Sequence, residues 1–257
     1  MTTTATFIGH GSPMNTLESN KWTQAWRDLG TTLGKPRAIL AISAHWFINA
    51  TAVTSMERPK VIHDFYGFPQ ELFNFDYPAK GLPDLARQVA EIAKPDVVAL
   101  DDSTWGIDHG TWSVLAHMYP EADVPIVQLA IDARKPIEYH IDLGAKLAPL
   151  LEDDVLVLAS GNVVHNLRQV QWGAEDKGFK WAWEFDNDVA STIEGRPEEL
   201  RNLKDHESYQ LAVPTPDHFL PLAYIAGIAS EKGLKFEKVI EGCTLGSLSM
   251  TTYKLEK

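Results

Sequence analysis

Four histidines occur where a predicted strand ends or a predicted helix begins. They are His10 in IGHGSP, His45 in AISAHWF, His165 in SGNVVHNLR and His218 in VPTPDHFLPLAY. Neutral imidazole nitrogens bind divalent transition metals, and an imidazole near its pKa can also accept and return a proton. We therefore expect a metal site built from these four side chains. The alternative for each is an ordinary packed or helix-capping residue, and for His218 the motif could reflect helix initiation at Pro216 alone.

Two further histidines lie in predicted loops that could approach a substrate. His109 in WGIDHGTW stands between Asp108 and Gly110, and an acid–base role or a hydrogen bond to a substrate oxygen suits it better than a ligand role. His63 in VIHDFYGFP lies among aromatic residues, so it is either a pocket residue or a packed loop residue. The remaining histidines occur within helical patterns and are assigned no chemistry: His117, His140 and His206.

The composition excludes several classes of protein. The 257 residues include 35 acidic and 23 basic side chains, and the net charge of -12 would repel nucleic acid and anionic membrane surfaces. A single cysteine, Cys243, excludes an intramolecular disulfide framework and a zinc or iron–sulfur cluster held by cysteines. Metal ligands must therefore be His, Asp or Glu. The absence of a signal-like start and of a membrane-spanning run predicts a cytoplasmic protein.

Short β-branched apolar runs alternate with stretches of helical periodicity, a pattern typical of an α/β sheet flanked by helices. Strands are predicted at 5–9, 38–43, 51–55, 97–101, 125–130 and 155–160, and helices at 17–33, 82–93, 112–119, 136–151, 175–193 and 217–230. The C-terminal GSLSMTTYKL alternates polar and apolar residues and predicts a last strand at a sheet edge or on a dimer-forming side. No linker or repeat divides the chain, so we expect one domain over residues 1–257.

The predicted strands would deliver the histidines to one place. His10 follows the first strand, His45 follows the second, His109 lies in the loop after the strand at 97–101, and His165 follows the strand at 155–160. Residues just past the carboxyl ends of strands in an open α/β sheet gather along one edge, where ligands bind. We therefore expect the metal site at the carboxyl-terminal ends of the strands.

Motifs of other common enzyme classes do not occur in the sequence. It lacks HExxH, GxSxG, GxxxxGK and a GxGxxG that follows a strand. Ser12 and Ser160 could act as nucleophiles beside a histidine and an aspartate, which leaves a serine hydrolase open, although Ser12 lacks the strand-to-helix elbow. Cys243 has no neighbouring base, so a thiol enzyme is not expected.

Six segments together resemble the class III extradiol dioxygenase superfamily, in particular its bacterial DOPA 4,5-dioxygenase-like branch. In chain order they are FIGHGSPMN, ISAHW, IHDFYGFP, WGIDHGTW, SGNVVHNLR and PDHFLPL, and they are spread over nearly the whole chain. The resemblance implies an α/β fold around a mixed central sheet, with one divalent metal in a cleft at the strand ends.

The resemblance also implies roles for individual residues. His10 and His45 match the two histidine ligands of the superfamily, and His218 matches a position that many relatives fill with glutamate. His165 matches a residue that is the acid–base in some relatives and is assigned to the metal in others. His109 matches a histidine near the substrate hydroxyls. A site held by nitrogen atoms alone suits Zn(II) as well as Fe(II).

The reaction implied by the resemblance is extradiol cleavage of a catechol by O2 to a muconic semialdehyde. The predicted pocket residues are Trp46, His63, Phe65, Tyr66 and Phe68, with Arg168 as the partner of a substrate carboxylate. Two alternatives stay open: a zinc-dependent hydrolase that activates water with the same histidines, and a metal-binding protein without catalysis. The sequence favours neither a monomer nor a homo-oligomer.

Overall fold

The central sheet forms around strands whose residues are almost all apolar. Two examples are IVQLAID at Ile126–Asp132 and VLVLASG at Val155–Gly161, in which every residue is buried. Such runs are typical of parallel strands that are covered by helices on both faces. The structure is a computed structural model that describes residues 4–257.

Twelve strands and eight helices occur in the described residues. The strands are β1 (Ala5–Gly9), β2 (Ala38–Ile48), β3 (Ala52–Thr54), β4 (Lys60–Val61), β5 (Ala99–Asp101), β6 (Gly106–Ile107), β7 (Ile126–Asp132), β8 (Val155–Gly161), β9 (Lys235–Ile240), β10 (Cys243–Thr244), β11 (Leu248–Ser249) and β12 (Thr252–Glu256). The helices are α1 (Lys21–Leu33), α2 (Gln70–Phe73), α3 (Pro83–Ile92), α4 (His109–Met118), α5 (Ile137–Leu147), α6 (Lys180–Gly195), α7 (Tyr209–Ala212) and α8 (Leu220–Lys232).

Eight of the strands form one mixed sheet in the order β5-β3-β7-β2-β8-β1-β12-β9. The four central strands, β7, β2, β8 and β1, run parallel to one another. Antiparallel pairs flank them, β3 with β7 on one side and β12 with β1 on the other. The predicted α/β fold with a mixed central sheet is therefore confirmed.

Alternate residues of the central strands face two apolar layers. Phe7, Leu40 and Ile42 pack in the layer that contains α3, α5, α6 and α8, whereas Ile8 and Ile39 pack in the layer that contains α1 and α4. This alternation is the period of two expected for a strand that is covered on both sides. Because helices cover both faces of the central strands, these strands are accessible at their ends. No helix of the described chain is long and apolar enough to cross a membrane.

One edge of the sheet differs from the prediction. The predicted last strand is present as β12, but it lies between β1 and β9 rather than at the edge. The edge is formed by β9, which was not predicted as a strand. Its sequence, KFEKVI, has exposed or half-buried charged residues at Lys235, Glu237 and Lys238, a pattern typical of an antiparallel strand with one solvated face.

Two histidines lie in elements other than those expected. β2 continues to Ile48 because the apolar residues after His45 extend the strand, so His45 lies inside β2 and not after it. The pairing of β2 with β7 shifts register between Ile42 and Phe47, and His45 falls in that interval. His109 is the first residue of α4, since the extended Asp108 precedes the helix, and the expected loop position is wrong.

Candidate active site

A cavity of about 580 Å³ opens at the carboxyl-terminal ends of the central strands. Five histidines line it: His10, His45, His109, His165 and His218. His10 directly follows β1, His165 lies a few residues beyond β8, and His218 ends the short turn of 3-10 helix at Pro216–His218. The fold thus brings together every residue that was predicted to bind the metal or to act as acid–base.

Three of the five rings form a nearly equilateral triangle. The ring centroids of His10 and His45 are 5.1 Å apart, those of His10 and His218 are 5.3 Å apart, and those of His45 and His218 are 5.0 Å apart. Rings at such equal spacing around one cavity are the arrangement expected of imidazoles that share a cation.

The hydrogen bonds of His10 determine which of its nitrogens is protonated. The Ser160 hydroxyl donates to the carbonyl oxygen of Gly110, so its oxygen accepts from Nδ1–H of His10 over 2.9 Å. In neutral His10 the Nε2 atom therefore carries the lone pair. This atom lies 3.2 Å from Nε2 of His45. Either a proton on His45 or a metal ion beside both rings would satisfy the two nitrogens.

Asp64 connects two of the histidines through its two carboxylate oxygens. Nδ1 of His45 donates to Oδ2 over 2.9 Å, and Nδ1 of His109 donates to Oδ1 over 2.8 Å. Burial raises the pKa of Asp64, but the hydrogen bonds from His109 and His45 outweigh burial and hold the pKa well below its usual range. The carboxylate stays charged and fixes both rings with Nε2 as the remaining donor atom, as carboxylates commonly do behind metal-binding histidines.

His165 and His218 form the opposite side of the cluster. Nδ1 of His218 is hydrogen-bonded to the carboxylate of Asp217. The ring of His165 makes no side-chain hydrogen bond with the described residues, and instead stacks on His218 with centroids 3.5 Å apart and planes 4° apart. Four of the five rings thus have Nδ1 held by an acceptor, and His165 is the exception.

Most rings of the cluster are neutral at physiological pH. Burial, followed by the neighbouring histidines, holds the pKa of His10 and of His218 well below the usual value. Burial also lowers the pKa of His109 and of His165 to about 4. His45 differs: burial lowers its pKa, but the hydrogen bond with Asp64 and nearby carboxylates outweigh burial and raise it. Neutral imidazoles are the form that binds a metal.

The donor atoms of the cluster fit a divalent transition metal. Those of His10, His45 and His109 all lie within 4.8 Å of one another, as do those of His165, Asp217 and His218. The ring of His218 in the second group also lies almost equally near the rings of His10 and His45 in the first. Imidazole nitrogens with a carboxylate behind them suit zinc and iron.

The predicted pocket residues separate into two groups. Phe65, Tyr66 and Phe68 line the cavity, whereas Trp46, His63 and Arg168 do not. Trp46 follows His45 in β2, and successive strand residues point to opposite faces, so its ring stacks on Trp105 away from the cavity. His63 is hydrogen-bonded to the carbonyl of Phe75. Arg168 is exposed.

Two acidic residues of the site were not assigned a role from the sequence, namely Asp64 and Asp217. Each is adjacent to a histidine, in IHDFYGFP and in PDHFLPL, and this adjacency is the signal that could have identified them. Ser160, considered as a nucleophile, is fully buried and is engaged by His10 and Gly110. Its hydroxyl therefore orients a histidine.

Comparison with known proteins agrees with this geometry. A family model described as the catalytic LigB subunit of aromatic ring-opening dioxygenase matches residues 5–252. The chain belongs to this family of extradiol ring-opening dioxygenases, whose members use a metal.

Individual relatives cover nearly the whole chain. A 4,5-DOPA dioxygenase extradiol of Escherichia coli (strain K12) is 48% identical over 255 residues, which are 98% of this chain and 94% of the relative. A protein of the same name from Beta vulgaris is 35% identical over 256 residues, or 96% and 94% of the two chains. A crystal structure of an uncharacterized protein from Escherichia coli K12 superposes with a TM-score of 0.86 at 42% identity, covering 99% of this chain and 100% of that one.

Proposed function

We propose that the chain is a metal-dependent extradiol dioxygenase that opens the ring of a catechol with O2 to a muconic semialdehyde, with residues 1–257 acting as one catalytic domain. The observation that carries the proposal is the triangle of His10, His45 and His218, in which each Nδ1 is held by an acceptor. Each ring therefore keeps Nε2 as its metal-binding atom.

We assign the metal to these three histidines. When bound, Fe(II) would supply a path for electrons from the catechol to O2, which redox-inactive Zn(II) does not supply. The all-nitrogen ligand set binds either ion, so purified protein can contain zinc although iron supports turnover.

His165 was predicted both as a fourth ligand and as the acid–base, and its position favours the second role. Its ring is parallel to that of His218 at a centroid distance of 3.5 Å. The lone pairs of two parallel, stacked rings do not converge on one point, so the two rings in these orientations do not share an ion. With no side-chain hydrogen bond to fix its tautomer within the described chain, His165 can accept a catechol proton and return it later.

We assign His109 to bind the catechol hydroxyl that His165 does not deprotonate. Its Nδ1–H donates to Asp64, so Nε2 is an acceptor in the neutral ring. Phe65 lies beside it, with ring centroids 5.4 Å apart, and provides an apolar surface for the substrate ring. Because the imidazole is neutral, it can accept a hydrogen bond from the hydroxyl without repelling the metal.

The direct test is anaerobic reconstitution with Fe(II), or separately with Zn(II), followed by addition of catechols and air. The proposal expects O2 uptake and a yellow ring-opened product with Fe(II) only. No O2 uptake with any catechol would contradict it, and ester hydrolysis by the zinc form without O2 would favour the hydrolase.

A matched pair of substitutions controls this experiment. His10→Gln should remove the bound metal and the O2 uptake together. His206→Gln should retain both, because His206 lies outside the cavity and contacts Asp188.

A further inference from the structure

The mouth of the cavity carries unusually exposed apolar side chains. Six large hydrophobic residues of the described chain are exposed, and three of them line this one cavity: Tyr66 at 92% exposure, Trp172 at 80% and Leu167 at 65%. They belong to two separate segments, one after β4 and one after β8. Exposed apolar side chains that cluster at one cavity indicate a surface that a ligand covers.

The described lining of the same cavity lacks the side chains that usually pair with a carboxylate on a substrate. Among the described residues that line it there is neither a lysine nor an arginine. Of the described lining residues, Asp64 alone has a carboxylate, and its two oxygens accept hydrogen bonds from His45 and His109. Arg168, the predicted partner of a substrate carboxylate, lies outside the lining although Leu167 beside it lies within.

The exposed apolar side chains and the lack of lysine and arginine disfavour a substrate with an anionic substituent. A carboxylate at the mouth, with no lysine or arginine beside it, loses hydration without compensation. The net charge of -12 adds a repulsive field around the mouth. An apolar group that enters the same space gains by covering Trp172, Leu167 and Tyr66.

We infer that the substrate is a catechol with an uncharged apolar substituent, alkyl or aryl, which packs against Trp172, Leu167 and Tyr66 at the mouth of the cavity. This inference rests on the proposed function, since it places the catechol hydroxyls at the histidine cluster. Tyr66 and Trp172 are then specificity residues that contact the substituent and take no part in the chemistry.

The test measures binding without turnover. Protein reconstituted with Fe(II) is kept under argon and titrated calorimetrically with catechol, 4-tert-butylcatechol and 3,4-dihydroxyphenylacetate. The tert-butyl compound should bind about tenfold more tightly than catechol, as expected for partial burial of four carbons. The carboxylated compound should bind no more tightly than catechol.

Two substitutions of exposed apolar residues then locate the effect. Trp172→Ala should reduce the preference for 4-tert-butylcatechol over catechol toward unity. Val97→Ala is the matched control, since Val97 is 84% exposed and lines a different groove, and should leave the preference unchanged. Both residues are exposed, so neither substitution threatens folding.

The outcomes separate this inference from the proposed function. Binding of catechol without a gain from the tert-butyl group would overturn the inference alone, as would tighter binding of the carboxylated compound that Arg168→Ala abolishes. Failure of all three compounds to bind, catechol included, would overturn the proposed function and the inference with it.

Discussion

The imidazole rings of His165 and His218 lie parallel, with planes 4° apart and centroids 3.5 Å apart. Only the second ring has its Nδ1 atom bonded to a carboxylate, that of Asp217. The two rings are therefore adjacent in space but differ in the constraint on their tautomers. This difference is the reason why we propose His218 as a metal ligand and His165 as the group that transfers protons.

Substitution of His165 should separate catalysis from metal binding. We expect His165→Gln to lower kcat by roughly 10²- to 10⁴-fold, the usual contribution of a general acid–base, while the bound metal stays near the wild-type amount. Steady-state O2 uptake and metal analysis of the same sample measure the two effects. Loss of the metal in this variant would instead make His165 a ligand.

Asp64 should fix the orientation of both His45, a proposed metal ligand, and His109, which we assign to the substrate. In Asp64→Asn the amide group cannot accept from His45 and His109 together, so we expect metal affinity to fall by roughly 10- to 100-fold, as is typical for partners of metal-binding histidines. Competition with a chelator measures this affinity. Asp76→Asn, at an exposed position just after α2, is the control, and an equal loss in both variants would refute the role of Asp64.

Gly161 should tolerate no side chain. A Cβ atom there would lie 2.2 Å from the carbonyl oxygen of His218, which is backbone and cannot rotate away. We expect Gly161→Ala to lower the free energy of unfolding by about 1–3 kcal/mol and to weaken metal binding, because His218 must move. Urea unfolding and metal analysis test this.

The control for Gly161 is Gly195, the last residue of α6. A Cβ atom there meets no other atom within 4 Å. Gly195→Ala should therefore leave stability unchanged or slightly higher. Similar losses of stability in the two variants would contradict the explanation by steric contact.

His140 should make stability depend on pH. It is buried and hydrogen-bonded to Tyr224, and burial lowers its pKa to about 4. The unfolded chain binds the proton near pH 6.5, so stability is lost as the pH falls from 6.5 to 4, by about 3 kcal/mol from this group.

His140→Gln removes that titration and keeps a polar partner for Tyr224. Its free energy of unfolding should therefore change less than that of the wild type between pH 7 and pH 4, as measured by urea unfolding at each pH. His206→Gln, at a half-buried position near the surface, controls for the loss of any histidine. A variant curve parallel to the wild type would exclude this contribution of His140.

The central strands could be predicted from the sequence because apolar runs such as Val155–Gly161 reflect burial on both faces. The edge strand at Lys235–Ile240 could not, since its charged residues resemble those of a loop and only its pairing with β12 makes it a strand. The local pattern of apolar residues predicts which residues of a strand are buried, but it does not predict which strand it pairs with.

The histidines of the site could be identified because strand ends place them together, as for His10 and His165. The contacts of Asp64 could not be predicted, because its partners come from β2 and from α4, which only the folded chain brings together. Trp46 does not line the predicted pocket because β2 is pleated: a strand that directs His45 into the cavity directs the next side chain away.

The pairing of β12 with β1 has a consequence for protein synthesis. Leu245 and Leu248 line the same cavity as His10, and β12, which follows them, pairs with β1, the strand that ends just before His10. The first and last elements of the sheet must therefore meet before the cavity is closed. During synthesis, the part of the cavity wall formed by Leu245 and Leu248 is therefore added long after His10 has left the ribosome.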